Sequence, residues 1–287
     1  MCGRFSCSLD SQTVKSRLYD EHVVTQDSIE WKDEDKHRPS YNVCPARWIP
    51  TLYELSKPNS TKVIQSMQWG FIPSWMTTTP YSKPINARSE TLLDESSIYD
   101  QSKNTNRCII IAEGFYEWKM KKQPFYIKRK DGRLMLFAGL FSTSHIAGVK
   151  TTTCTIITTS SETIGFSKIH HRIPVILNAS EASQWLDHTK RWSKDKFASL
   201  MKPFKEELEW YQVTEKVGSI KNDSKDLNQP LDQTKNSISY FLQKGQEEKK
   251  SIFNKEDEAI KKKNVPMTTI RENKNIKKRK ERQVVKT

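Results

Sequence analysis

The chain has 287 residues, room for one large domain or two small ones, with 35% hydrophobic residues, 29% charged residues and a formal net charge of +14. The hydrophobic share is low for a chain packed end to end, so part of it is expected to stay unpacked. No apolar run approaches the roughly 20 residues that span a bilayer, and the opening MCGRFSCSLD has no charged segment leading into an apolar one, so no secretory signal is expected. Five cysteines, at positions 2, 7, 44, 108 and 154, form no CxxC pair. A disulfide framework or zinc knuckle is therefore not expected, and a reducing compartment is. The basic balance points to nucleic acid rather than a membrane, because no long amphipathic basic helix is visible.

In chain order, residues 3–9 read as a short strand and residues 11–22 as a helix capped by Ser11. Apolar, β-branched or alternating runs predict strands at 48–55, 62–71, 107–112 and 151–159. Residues 124–141 read as a hairpin whose arms join at Asp131-Gly132. A short strand is expected at 172–177, then helices at 178–187 and 193–201, each opened by a polar cap, and a strand at 208–214. Many short strands at this spacing suggest a sandwich or open barrel with helices attached. The body is expected to end near Leu231. From Gln233 to Thr287 the chain carries 16 basic and 7 acidic residues, against 32 and 27 before it, and reads as a disordered basic tail. No internal repeat is visible.

Several residues stand out chemically. Removal of Met1 leaves Cys2 with an α-amine and a thiol on adjacent carbons. Such an amine has a reference pKa of about 7.7–8.0, against about 10.4 for lysine, so a useful fraction is neutral and able to attack a carbonyl. The thiol can then close on the imine carbon as a five-membered thiazolidine, capturing an aldehyde. In Pro84-Ile85-Asn86-Ala87-Arg88, Asn86 and Arg88 lie two apart on an extended segment and share a face, where amide and guanidinium suit a phosphate or sugar oxygen. Glu117 sits between large aromatics, whose desolvation raises a carboxyl toward acid–base use; the plainer reading is a solvent-facing glutamate on an amphipathic strand. His170, His171 and Arg172 precede an apolar strand and suit a proton shuttle, whereas metal binding is weakly supported. Trp69 reads equally as a core aromatic or a stacking platform, and Trp75, beyond Pro73, reads as a surface residue.

Taken together, MCGRF, YNVCPA (41–46), WGFIPSW (69–75), INARSET (85–91), EGFYEWK (113–119), IHHRIPVIL (169–177) and VGSIKND (217–223) resemble, in one order, the SRAP family of SOS-response-associated peptidases. Its eukaryotic members are abasic-site processing proteins of the HMCES type. The resemblance covers about residues 2–232. It implies an α+β fold around a β-barrel-like core with peripheral helices; no cofactor or metal is expected. It also implies a shield function at abasic sites in single-stranded DNA in the damage response, through a thiazolidine crosslink made by Cys2. By the same resemblance Asn86 holds the N-terminal cysteine and the sugar, and Glu117 is the acid–base group. His170 opens the sugar and later reverses the crosslink. Arg4 and Arg88 grip phosphates, while Pro45 and Trp75 lie near a wedge that separates strands at a junction. Self-processing of the N-terminus would account for the peptidase label, and β-elimination from the imine would give lyase activity. Three departures from the family pattern are Met76 where some members have a second Trp, His171 where Asp often follows the histidine, and Cys44 where Ala is common.

Two other classes stay open: a non-catalytic reader of modified or single-stranded nucleic acid, and a cysteine peptidase using Cys2 with His170. In the tail, Ile238 and Phe241-Leu242 resemble a sliding-clamp-binding peptide, with Lys235 in place of the usual Gln. Lys277-Lys278-Arg279-Lys280 resembles a nuclear import signal. A monomer acting in the nucleus at replication forks is the resulting expectation.

Overall fold

A computed structural model describes residues 2–25, 28–55, 61–93 and 97–233. The clamp-like Ile238, Phe241 and Leu242, and the basic run 277–280, lie outside the described residues. In chain order the elements are β1 (Phe5–Cys7), α1 (Ser11–Asp20), β2 (Trp31–Lys32), β3 (Ser40–Val43), β4 (Trp48–Glu54), β5 (Lys62–Trp69), β6 (Asn86–Arg88), α2 (Ser89–Leu93), α3 (Asp100–Thr105) and β7 (Arg107–Ala112). They continue with β8 (Gly114–Lys119), β9 (Gln123–Arg129), β10 (Met135–Ile146), β11 (Val149–Ser160), β12 (Arg172–Pro174), β13 (Ile176–Leu177), α4 (Ala179–Leu186), α5 (Lys194–Phe197) and β14 (Leu208–Gln212).

Five strands close into a barrel. β5, β4, β7, β10 and β11 pair antiparallel in that sequence, and a parallel contact between β11 and β5, Thr153 opposite Gln68 and Cys154 opposite Trp69, completes the ring. Short β2 extends β5, while β6 and β12 extend β11. A second sheet runs in the order β14-β9-β8-β1-β3. The fold is thus α+β on a β-barrel core, with closure removing the free edges that an open sheet would expose.

Both faces of β7 are covered, which explains why it is apolar from Cys108 to Ala112 rather than alternating. Cys108, Ile110 and Ala112 join one core with Phe5, Phe115 and Ile127 of the second sheet. Ile109 and Ile111 join another with Val14 and Leu18 of α1 and Trp185 of α4.

Several local expectations are corrected. The segment 124–141 is not a hairpin: Asp131-Gly132 does turn, with Gly132 at φ +74°, but its arms separate. β9 pairs with β8 and β14, and β10 pairs with β7, β11 and β13. Tight hairpin turns lie instead at Met120-Lys121 and Ala147-Gly148, all at positive φ, where only one glycine marks them. Ser11 is the first helical residue of α1, and Asp10 is its cap, accepting from the Thr13 N–H at 2.7 Å. Asn178 caps α4 in a reciprocal capping box with Glu181, but Ser193 makes no side-chain cap and α5 ends at Phe197. The strand at 172–177 is two short ones, β12 and β13.

Candidate active site

The pairing of β1 with β8 sets the site. Phe5 faces Phe115, Ser6 faces Gly114, and the Tyr116 N–H donates to the Arg4 carbonyl at 2.9 Å. Continuing that antiparallel register brings residues 2 and 3 opposite Trp118 and Glu117. β6 runs parallel to β11 with Asn86 opposite Ile156, and the Asn86 Nδ2 donates to the Cys2 carbonyl at 2.8 Å. The other Asn86 amide atom, Oδ1, is buried without a hydrogen-bond partner.

His170 enters from the chain between β11 and β12. Its backbone carbonyl accepts from the Ser161 hydroxyl at 2.5 Å. Its Nδ1 accepts from the Arg172 N–H at 3.0 Å and lies 3.9 Å from Glu117 Oε1. Nδ1 also lies 3.1 Å from the Arg172 carbonyl, so both backbone groups of Arg172 hold this ring nitrogen. His171 stacks on His170 with ring centroids 4.5 Å apart, but is exposed. Cys2, Asn86, Glu117 and His170 are therefore brought together from four separate stretches of chain.

Burial dominates the electrostatics. Glu117 is 4% exposed, and desolvation raises its carboxyl above the usual range. The Cys2 thiol, 1% exposed, is raised by burial and secondarily by the Glu117 charge. His170 is lowered, again chiefly by burial. The cluster thus favours a neutral imidazole, a protonated thiol and a carboxyl that gives up its proton less readily than an ordinary glutamate. Among the described residues no group of three or more His, Cys, Asp or Glu could hold a metal ion.

The expected DNA-contact residues divide. Arg88, Pro45 and Trp75 are exposed, Trp75 at 61%. Arg4 is half-buried, and its Nη1 donates to Asn42 Oδ1 at 2.7 Å and to the Val217 carbonyl at 2.8 Å, so part of its donor fork is used inside the protein. Trp69 is a core residue: it is fully buried, packs 5.1 Å from Phe5, and donates from Nε1 to the Ile85 carbonyl at 2.9 Å. Met76 and Cys44 are half-buried.

Two supports went unread in the sequence. Asn42 is buried, and its Nδ2 donates to the carbonyls of Ser219 at 3.0 Å and Asn222 at 2.7 Å, tying the 217–222 segment to β3. Arg172 makes a two-pronged ion pair with Glu90, at 2.6 and 2.9 Å, and donates to the Thr158 carbonyl at 2.5 Å, locking α2 and the preceding Asn86–Arg88 strand beside His170. Glu90 and Arg172 each fell within a matching block, but nothing local joins residues 82 apart.

These features define a class: a β-barrel protein with a buried cysteine at position 2 held against an asparagine, a glutamate and a histidine. The SRAP family model, described as SOS response associated peptidase, matches residues 1–220. The chain belongs to the SRAP family. It is 37% identical over 235 residues to the abasic site processing protein YoqW of Bacillus subtilis, covering 79% of this chain and 98% of the relative. It is 32% identical over 267 residues to the abasic site processing protein HMCES of Gallus gallus, covering 81% and 78%. In fold it is similar to a crystal structure of a protein from Bacteroides thetaiotaomicron, with TM-score 0.65, 24% identity, and coverage of 80% of this chain and 99% of that one.

Proposed function

We propose that this protein recognises abasic sites in single-stranded DNA and captures the ring-opened sugar through Cys2 once Met1 is removed. The observation that carries the reading is the convergence of Asn86, Glu117 and His170 on Cys2. Similarity to relatives that process abasic sites points the same way.

The chemistry balances with no external reagent. Neutral His170 moves a proton to open the sugar hemiacetal to its aldehyde. The Cys2 amine adds to the aldehyde carbon, giving a carbinolamine. Protonation of its hydroxyl by Glu117 expels water, and return of the nitrogen's proton to Glu117 leaves an imine. The Cys2 sulfur then adds to the imine carbon, the thiol proton passes through Glu117 to nitrogen, and a thiazolidine closes. Loss of the 3′ phosphate from the imine is the competing lyase path, and ring closure drains it.

A raised thiol also separates this reading from a cysteine peptidase. A peptidase nucleophile needs a thiolate, which a cationic neighbour favours. Here burial and the Glu117 carboxylate hold the proton on sulfur. An amine that attacks first, with the thiol adding to an already formed imine, tolerates that state.

The test is a denaturing gel of the Met1-processed protein mixed with a single-stranded oligonucleotide carrying one abasic site. A shifted, heat-resistant band is expected. No band with processed protein and saturating DNA would overturn the proposal.

A further inference from the structure

A groove of about 440 Å³ lies on the barrel surface away from the Cys2 cluster, lined by residues of β2, β4, β5 and β11 and the turn after β2. Lys32, Lys36 and Lys150 contribute three ammonium groups to its lining. Its one carboxylate, Asp33, is already engaged: Lys36 Nζ donates to Asp33 Oδ1 at 2.8 Å and Gln65 Nε2 donates to Oδ2 at 2.9 Å. Lys36 Nζ also stands 4.4 Å from the centre of the Trp48 ring, which holds this flexible cation over a wall of the groove. The groove is therefore net cationic, with amide and indole surface between the charges.

Its place along β11 gives a ruler. Thr152 lines the groove, and Ile156, four residues on, pairs with Asn86 of the active site. Four strand residues span ~13 Å at about 3.3 Å each. A nucleic-acid strand stacked as in a duplex advances about 3.4 Å per nucleotide and an extended one advances more, so this distance corresponds to at most about four nucleotide steps. Two neighbouring loops link the groove to the exposed surface near Pro45 and Trp75. Residues 45–47 lead directly into Trp48, and the Ala147 N–H in the turn before Lys150 donates to the Thr77 carbonyl at 3.0 Å.

We infer that this groove is a second nucleic-acid subsite, in which Lys32, Lys36 and Lys150 take the phosphodiester backbone within about four nucleotides of the reacting sugar. The inference rests on the nucleic-acid reading of the Cys2 site. It assigns the groove the flanking strand rather than a second reactive group, because nothing among its lining residues is a nucleophile poised for chemistry and its charge is spread along an open furrow.

The test anchors the register with a tetrahydrofuran abasic analogue, which has no aldehyde and cannot crosslink. Full-length protein is titrated with single-stranded oligonucleotides whose flanks are lengthened one nucleotide at a time on either side. For the natural protein, affinity is expected to rise as one flank becomes long enough to enter the groove, by about four nucleotides at most. In the Lys32→Ala/Lys150→Ala double variant that rise is lost, and the slope of log affinity against log salt flattens by about 1.4, the value for two phosphate contacts on a single strand. Lys32→Arg/Lys150→Arg restores both. Thermal melting checks that each variant is folded. A double variant that keeps the same rise and the same slope overturns the inference. Crosslinking to a natural abasic oligonucleotide is measured alongside. If the natural protein fails to crosslink yet shows the lysine-dependent rise, the capture chemistry falls and the groove stands.

Discussion

Freed of Met1, Cys2 would hold two nucleophiles on adjacent carbons, and substitution separates them. In processed Cys2→Ala the amine remains but no ring can close, so the heat-stable band is expected to vanish. Cys2→Ser keeps a weaker second nucleophile and should leave a less durable product; a full-strength heat-stable band from Cys2→Ala would show that sulfur is not the closing atom. Glu117→Ala and His170→Ala should each slow single-turnover crosslinking by about 10²–10⁴-fold, the usual span for general acid–base groups. His170→Ala should also lengthen the life of purified crosslink, since reopening reverses the same proton transfers. The doublet can be resolved by comparison: His170 is the half-buried ring 3.9 Å from Glu117, whereas His171 is exposed. A strong defect in His171→Ala with a normal rate in His170→Ala would reverse that choice.

Glu117 also carries a stability signature. A carboxyl whose folded pKa is raised binds its proton more tightly in the folded state, so its contribution is present at low pH. It is lost as pH rises from the ordinary glutamate value of about 4.3 through the raised folded value. Glu117→Gln, neutral at every pH, should therefore melt higher than the natural protein at pH 8, and the gain should shrink to nothing toward pH 4. Equal melting temperatures across that range would mean that Glu117 is not desolvated.

At the scale of elements, the site depends on how closely β8 lies against its neighbours. A Cβ at Gly114 would meet the Tyr126 ring and come within 2.6 Å of the Ile127 carbonyl. The ring carries little freedom to retreat, since Tyr126 is buried and packs 4.9 Å from Tyr116. Gly114→Ala is expected to cost about 1–3 kcal/mol by overpacking, read from chemical denaturation. It should also displace Glu117 three residues on, so crosslinking should slow even where the protein remains folded. A second fixed element is the pair of helices α3 and α4, which end on one buried side chain. Arg107 donates to the carbonyls of Lys103 at 2.9 Å, Trp185 at 2.6 Å and Asp187 at 2.6 Å, beneath the Phe197 ring at 4.6 Å. Arg107→Met leaves those helix-end carbonyls buried without donors and should cost about 3 kcal/mol or more, at roughly 1–3 kcal/mol for each unsatisfied group.

For the whole molecule, the charge division between body and tail makes separable demands. Residues 1–231 cluster as one compact unit. A chain truncated after Leu231 should crosslink in the test tube as the full chain does, while losing nuclear enrichment and any binding to a sliding clamp. Insolubility of the truncated chain, or failure to crosslink at saturating DNA, would place the tail within the working protein.

Much of the candidate site was legible because it is written locally. Cys2 announces its two nucleophiles by position, the INARSET, EGFYEWK and IHHRIPVIL blocks hold the candidate partners, and apolar runs mark β4, β5, β7 and β11. These signals depend on residue type and short-range period, which a sequence states outright. What joined whom was decided by tertiary structure. The Asp-Gly turn at 131–132 looked like a hairpin because turn chemistry reports only that the chain reverses, not which sheet receives each arm. The left-handed Met120 and Lys121, held by the β8–β9 register, make a real hairpin with no glycine to signal it. Trp69 became a core residue and Arg4 an internal donor because closure of the barrel and the 217–222 segment reached them first. Likewise the Glu90–Arg172 pair and the choice of His170 over His171 rest on contacts between residues more than 50 positions apart, whose energies exist only once the barrel has closed.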